Sequence, residues 1–186
     1  DKPHTKKING HLVLEYKDFI NIDADNKWIS LAISDSYIRK RLAKKCSLDK
    51  VKLWNLSALN SLILNEVVLS EGYILRHFST IGPNVKIGKS FILGMYSYIS
   101  HDCIVGDYSI FSNNSTLAGH VEVGKNVILS GFTAVNQFCN IGDYVFVAGG
   151  SRVRKDIPPY VKAGREPVSF VGVNSVGLSR NGFENS

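Results

Sequence analysis

Several things are scarce in this sequence, and each scarcity removes a class of explanation. There are three cysteines, Cys46, Cys103 and Cys139. An odd, sparse set excludes a disulfide framework and points to a reducing compartment. No apolar run reaches the ~18 residues of a membrane-spanning helix. The opening DKPHTKKING is polar and lacks the hydrophobic segment of a signal peptide. We therefore expect a cytoplasmic protein with no membrane span. A starting methionine is also missing, so the sequence is expected to begin partway into its natural chain. Charge of one sign does not dominate: 22 Lys and Arg stand against 16 Asp and Glu. No basic stripe interleaved with stacking aromatics is present, so nucleic acid is not an expected partner. What remains is ordinary globular composition, 44% hydrophobic over 186 residues. That is enough for a real core in one large domain or two small ones.

What is there is a repeat. Cut every six residues from Ile81, the chain reads IGPNVK, IGKSFI, LGMYSY, ISHDCI, VGDYSI, FSNNST, LAGHVE, VGKNVI, LSGFTA, VNQFCN, IGDYVF, VAGGSR, VRKDIP. The first position of all thirteen hexads is Ile, Leu, Val or Phe. The second is mostly Gly, Ala or Ser, and the fifth mostly small or β-branched. The phase extends back, less cleanly, to Ile63. Such a period predicts a parallel β-helix of hexapeptides, with the first position inward and a small residue at the fifth. The glycine-rich second position is expected at a tight bend.

The flanks differ. KWISLAIS predicts a strand. SDSYIRKRLAKKC predicts a helix, with Ser34 or Asp35 as N-cap and basic residues through its last turn. Strand followed by helix suggests an α/β unit over 1–55. The repeat occupies 56–160 and is expected to end at Pro158-Pro159. A tail over 161–186 is expected to pack on the coils. A solenoid has open ends, and the flanking segments are the expected covers.

The repeat resembles the left-handed β-helix of the hexapeptide-repeat acyltransferases, in which three hexads make an 18-residue triangular coil. Thirteen hexads then make a little over four coils. On that geometry Cys103 and Cys139 lie two coils apart, ~10 Å, too far for a disulfide, and read as core filler. KKINGHLVLEYKDF, ISLAISDSYIRKRLAKK and ISHDCIVGDYS resemble the sialic acid O-acetyltransferase and UDP-4-amino-sugar N-acetyltransferase group. This implies a Rossmann-like N-terminal unit whose first strand, Gly-rich turn and second strand are missing here. HDCIVG, NNSTLAGHVEVG, GFTAVNQFCNIG, GGSRVRKDIPPYV and VGVNSVGLSRNGF resemble the UDP-N-acetylglucosamine acyltransferase of lipid A synthesis. Three positions depart from that enzyme. Tyr98 and Asn136 stand where it usually has histidines, and Asn181 where it has the second of two arginines.

Both families move an acyl group from a thioester to a sugar amine or hydroxyl. The reaction needs a base and oxyanion donors. The resemblance implies that His101 is the base, a role suited to an imidazole of unperturbed pKa ~6.5. It implies that Asp102 orients the ring and that the Gly119 N–H receives the oxyanion. Adjacent strand residues point to opposite faces, so Asp102 can reach His101 only across a bend. His120 and Gln137 match substrate-contacting positions, and Asn136 and Tyr98, though they depart from the family's histidines, are further substrate-binding candidates. Gly149 matches an acyl-length position, and Arg152, Lys155 and Arg165, with Arg154 and Lys162, are candidates for an anionic acyl donor. His120 is equally explained as a hydrogen-bonding edge residue, Asp102 as a turn residue, and the arginines and lysines as a solvated edge. His4, His11 and His77 have no partner pattern and read as surface. A metal site would need three spaced ligands with an open position. No paired HxxxxH is present, so no metal is expected.

These readings converge on an acetyl-CoA-dependent acetyltransferase acting on a nucleotide-linked amino sugar in surface-glycan synthesis. The resemblance implies a homotrimer. The alternatives are 3-hydroxyacyl transfer from acyl carrier protein to a UDP-sugar, sugar O-acetylation, and a non-catalytic solenoid.

Overall fold

Every sixth side chain from Ile81 to Val153 points inward and is at most 3% exposed. The fifth positions, Val85 to Ile157, are buried as well, and both sets join one continuous core. The structure, a computed structural model, describes residues 7–184; His4 lies outside the described residues. The coil strands from Leu56–Ser57 to Arg152–Val153 are two residues long, as at Tyr98–Ile99, one side chain out and one in. Each pairs in parallel with a strand eighteen residues away: Ile81 with Ile99, and Ile99 with Leu117. The result is a left-handed parallel β-helix of about 6 turns. Its faces are sheets of five, eight and six strands. Three edges of stacked turns join them. Edge 1 holds turns 83–84, 101–102, 119–120 and 137–138. Edge 2 holds 89–90, 107–108, 125–126, 143–144 and 159–160. Edge 3 holds 77–78, 95–96, 113–114, 131–132 and 149–150.

The bends are not where the glycines suggested. The chain turns at the third and fourth positions of each hexad, and the fourth is left-handed. Asn84, Asp102, Asn114 and His120 have φ of 59°, 57°, 60° and 57°. Where the second position is glycine, the neighbouring coil rather than the bend explains it. A Cβ on Gly94 would lie 2.5 Å from the Asn113 nitrogen, and one on Gly106 would lie 2.6 Å from the Gly124 carbonyl carbon.

Leu56–Ser57 pairs with Ile74–Leu75, with Ser57 at an inward position upstream of the apolar phase. The far end differs from expectation. After Pro158-Pro159 the coil continues at a shortened spacing. Val161–Gly164 pairs in parallel with Phe146–Val147, and Ser169–Val173 adds to it antiparallel. Val161 and Val168 pack against the core.

Within KWISLAIS only Trp28–Ile29 is a strand, parallel to Lys52–Leu53. Among the helices, α1 spans Tyr16–Ile20 and α2 Ser36–Leu48, and α3, at the other end of the chain, spans Ser175–Arg180. Asp35 is the α2 N-cap, its carboxylate accepting from the Ile38 N–H at 2.9 Å. The described residues before Ile63 do not close the solenoid's first end, where Ile63 and Leu64 are 39% and 40% exposed. Instead α2 lies along edge 2. Arg39, fully buried, donates to the carbonyls of Ile33, Ser90 and Tyr108 at 2.6, 3.1 and 2.9 Å. Burial pushes its pKa down to about 10, so it stays a cation at neutral pH.

Candidate active site

Edge 1 stacks two columns of side chains at one-coil steps. The third positions read Pro83, His101, Gly119, Gln137. The fourth read Asn84, Asp102, His120, Phe138. His101 sits in the turn, and the left-handed backbone at Asp102 swings the next side chain back beside it. His101 Nδ1 lies 2.7 Å from Asp102 Oδ2, so the bend that this contact required is present. Asn84 Nδ2, one coil earlier, donates to the other oxygen, Oδ1, at 3.0 Å. These bonds, that to His101 foremost, hold the Asp102 carboxyl below the usual carboxylate range.

On the far side of the ring is Gly119. A Cβ there would lie 2.5 Å from His101 Cε1 and 2.7 Å from Nε2. Only glycine lets the ring occupy this place. At three other third positions the amide is taken up by the next coil: Lys89, Met95 and Lys125 donate to the side chains of Asp107, Asn113 and Asp143 at 2.8, 3.0 and 2.9 Å. Gln137 stands at the equivalent position for Gly119. Among the described residues the Gly119 N–H makes no hydrogen bond. A ring nitrogen and an unengaged amide therefore sit side by side, which suits proton abstraction beside a developing oxyanion. Half the His101 side chain is exposed, so the site lies open on the edge.

His120 meets His101 edge-on at 5.0 Å between centroids and stacks on Phe138 at 4.9 Å. Its Nε2 is 3.8 Å from Asp102 Oδ2. His101, Asp102 and His120 thus present three donor atoms within 4.8 Å of one another, a cluster the sequence spacing did not foreshadow. Both Asp102 oxygens are already engaged, by His101 and Asn84, and a cation would have to displace the 2.7 Å contact.

The remaining sequence candidates divide. Gln137 lies on edge 1, one coil past Gly119, and Asn136 just precedes it. Tyr98 faces outward in the six-stranded sheet, in register with Thr116, Ala134 and Arg152. Arg152 and Lys155 line a cleft of about 510 Å3 beside the last coil. Arg154 lines it too and pairs with Glu166 at 3.2 Å. Arg165 falls between the last two strands, outside that cleft. Gly149 is on edge 3, away from His101, and its Cβ direction points at the Gly131 carbonyl oxygen, 3.1 Å away. Asn84 and Phe138 were missed. Both lie eighteen residues from a fourth-position candidate, and that spacing was the available signal. His11 and His77 are exposed, and Cys103 and Cys139 are core residues whose thiols burial pushes up.

Two family models match. Residues 84–119 match the bacterial transferase hexapeptide (six repeats), and residues 156–186 match domain 2 of Udp N-acetylglucosamine O-acyltransferase. The structure of WeeI from Acinetobacter baumannii AYE is 30% identical over 89% of this chain and 80% of its own, with a TM-score of 0.69. The chain belongs to the hexapeptide-repeat sugar acyltransferases. Among these acyltransferases, the GDP-perosamine N-acetyltransferase of Escherichia coli O157:H7 is 32% identical over 97 residues, 52% of this chain and 44% of that enzyme. The chain thus spans less than half the length of that relative. PerB from Caulobacter crescentus, solved with CoA and GDP-perosamine, is 27% identical over 78% of this chain and 70% of its own, with a TM-score of 0.77.

Proposed function

We propose that this acyltransferase moves the acetyl group of acetyl-CoA onto the amino group of a nucleotide-linked amino sugar. The observation that carries the reading is the arrangement at edge 1, with His101 held by Asp102 at 2.7 Å and lying directly over Gly119. The relatives support the chemistry, one being a sugar N-acetyltransferase and one holding CoA with GDP-perosamine.

In this reading the Asp102 carboxylate accepts from His101 Nδ1–H. That bond leaves Nε2 unprotonated and aimed outward. The neutral sugar amine attacks the thioester carbonyl carbon while Nε2 takes the proton it sheds. Negative charge gathers on the carbonyl oxygen, where the Gly119 N–H receives it. Collapse breaks the C–S bond, and the imidazolium returns its proton to the departing CoA thiolate. His120, Gln137, Asn136 and Tyr98 line the approach of the sugar. Gly149, Arg152, Lys155 and Arg165 are assigned to the donor, with Arg152 and Lys155 best placed. Half-exposed catalytic groups on an edge need a second wall. A homotrimer supplies it, and sedimentation should show three times 20.6 kDa. A cytoplasmic location goes with this reading, since acetyl-CoA and nucleotide-linked sugars are its co-substrates. We further take 1–55 as a partial α/β unit and 161–186 as a tail.

A second reading, 3-hydroxyacyl transfer from acyl carrier protein, draws on the match of 156–186 to the UDP-N-acetylglucosamine acyltransferase model. Product mass spectrometry separates them. The chain is incubated with acetyl-CoA and nucleotide-linked 3- and 4-amino sugars, with His101→Ala in parallel. A product heavier by one acetyl group, reduced about 10³-fold in the variant, is expected. No acetylated product overturns the proposal and moves the test to hydroxyacyl carrier protein.

A further inference from the structure

The sequence concentrates its charge. Between Ser36 and Lys52 there are seven basic residues and one acid, a net +6 that equals the charge of the entire chain. Elsewhere the signs balance. The fold turns most of this charge toward one open cleft of about 810 Å3 between α2, the strand after it, and edge 2. Its rim carries Lys40, Arg41, Lys44, Lys50, Lys52 and Lys89. Glu71 is the acid in the lining, and Lys89 holds it at 3.3 Å. Asp49, the acid within the basic run, is turned away and accepts from the Tyr16 hydroxyl at 2.9 Å. Among the described residues Lys40, Arg41, Lys44 and Lys50 form no ion pair. The floor is apolar: Ala43 and Val51 are buried, and Leu53 and the half-buried ring of Tyr108 lie beside them.

A cationic rim over an apolar floor complements a ligand with one flat, weakly polar part and one polyanionic part. We propose that this cleft binds the phosphorylated end of a nucleotide, at a site separate from the catalytic edge. It is lined from edge 2, whereas His101 and Gly119 are on edge 1. Concentrated like charge in a concave wall also focuses field and raises the local concentration of anions. The proposal rests on the reading above in one respect. Both co-substrates named there carry such a group, the sugar as a nucleoside diphosphate and CoA as an adenosine 3′,5′-bisphosphate. The cleft then senses or retains the nucleotide of one of them.

The test is calorimetric titration of the full chain with GDP, UDP and adenosine 3′,5′-bisphosphate at low salt. Lys44→Glu/Lys50→Glu and the milder Lys44→Gln run in parallel. Both lysines are exposed, and thermal melts verify that the variants fold. Saturable binding is expected, weakening as salt screens the rim and falling about tenfold or more in the double reversal. Response to GDP or UDP alone assigns the site to the sugar nucleotide, and response to the bisphosphate alone assigns it to CoA. No saturable binding, or equal binding in folded wild type and double variant, overturns the proposal. Acetyl transfer is measured on the same samples. Transfer without cleft-dependent binding sinks only this inference, and cleft-dependent binding without transfer sinks only the proposed reaction.

Discussion

A histidine and the residue after it on an extended strand point to opposite faces. Asp102 escapes that rule because its φ of 57° lies in the left-handed region, and the same turn lets Asn84 reach its second oxygen. The carboxyl is therefore held below its ordinary range, by His101 first and Asn84 second. A depressed pKa means the interaction is fully present above the ordinary aspartate range and is lost only as pH falls through the depressed value. Removing Asn84 raises that value. Asn84→Ala should leave the neutral rate within about fivefold of wild type, the worth of one hydrogen bond. Its Asp102 carboxyl should titrate at higher pH than in the wild type, which an NMR pH titration of that carboxyl checks. If Asn84 does not hold the carboxylate, the titration stays where it is. Gly119→Ala places a carbon 2.5 Å from His101 Cε1, and the half-exposed ring must swing away. The expected result is a kcat lower by about a hundredfold with an unchanged melting temperature.

The element that carries the fold is the single hexad. Each buries its first and fifth side chains and turns at its third and fourth. Glycine at the second position answers to the coil above it. Gly94→Ala would put a Cβ 2.5 Å from the Asn113 nitrogen, with rigid backbone on both sides. We expect it to cost about 2–3 kcal/mol. Gly150 has φ of 71° and open space around its Cβ direction, so Gly150→Ala should cost only the left-handed penalty, about 1 kcal/mol. Urea denaturation of the two variants distinguishes steric from conformational demand. The helix α2 was legible in its cap and its length. The strand before it was overestimated, because after Ile29 the backbone leaves the sheet to run to Asp35.

For the whole molecule, the join between N-terminal unit and solenoid depends on Arg39. Its guanidinium meets three carbonyls and no carboxylate, so truncation strands buried acceptors. Arg39→Ala should lower stability by about 3 kcal/mol, and hydrogen exchange should localise the loosening to α2 and edge 2. The coil, its inward column and the candidacy of His101, Asp102 and Gly119 were all present in a six-residue period and a few family motifs. Hydrophobic periodicity is a local property, written directly into neighbouring residues. The Asn84–Asp102 bond, the His120–Phe138 stack, the basic cleft and the grip of Arg39 on Ser90 and Tyr108 were not. Each joins residues eighteen or more positions apart. Which of them meet depends on the residues per coil and on the face where the N-terminal unit docks, and those follow from packing of the folded chain.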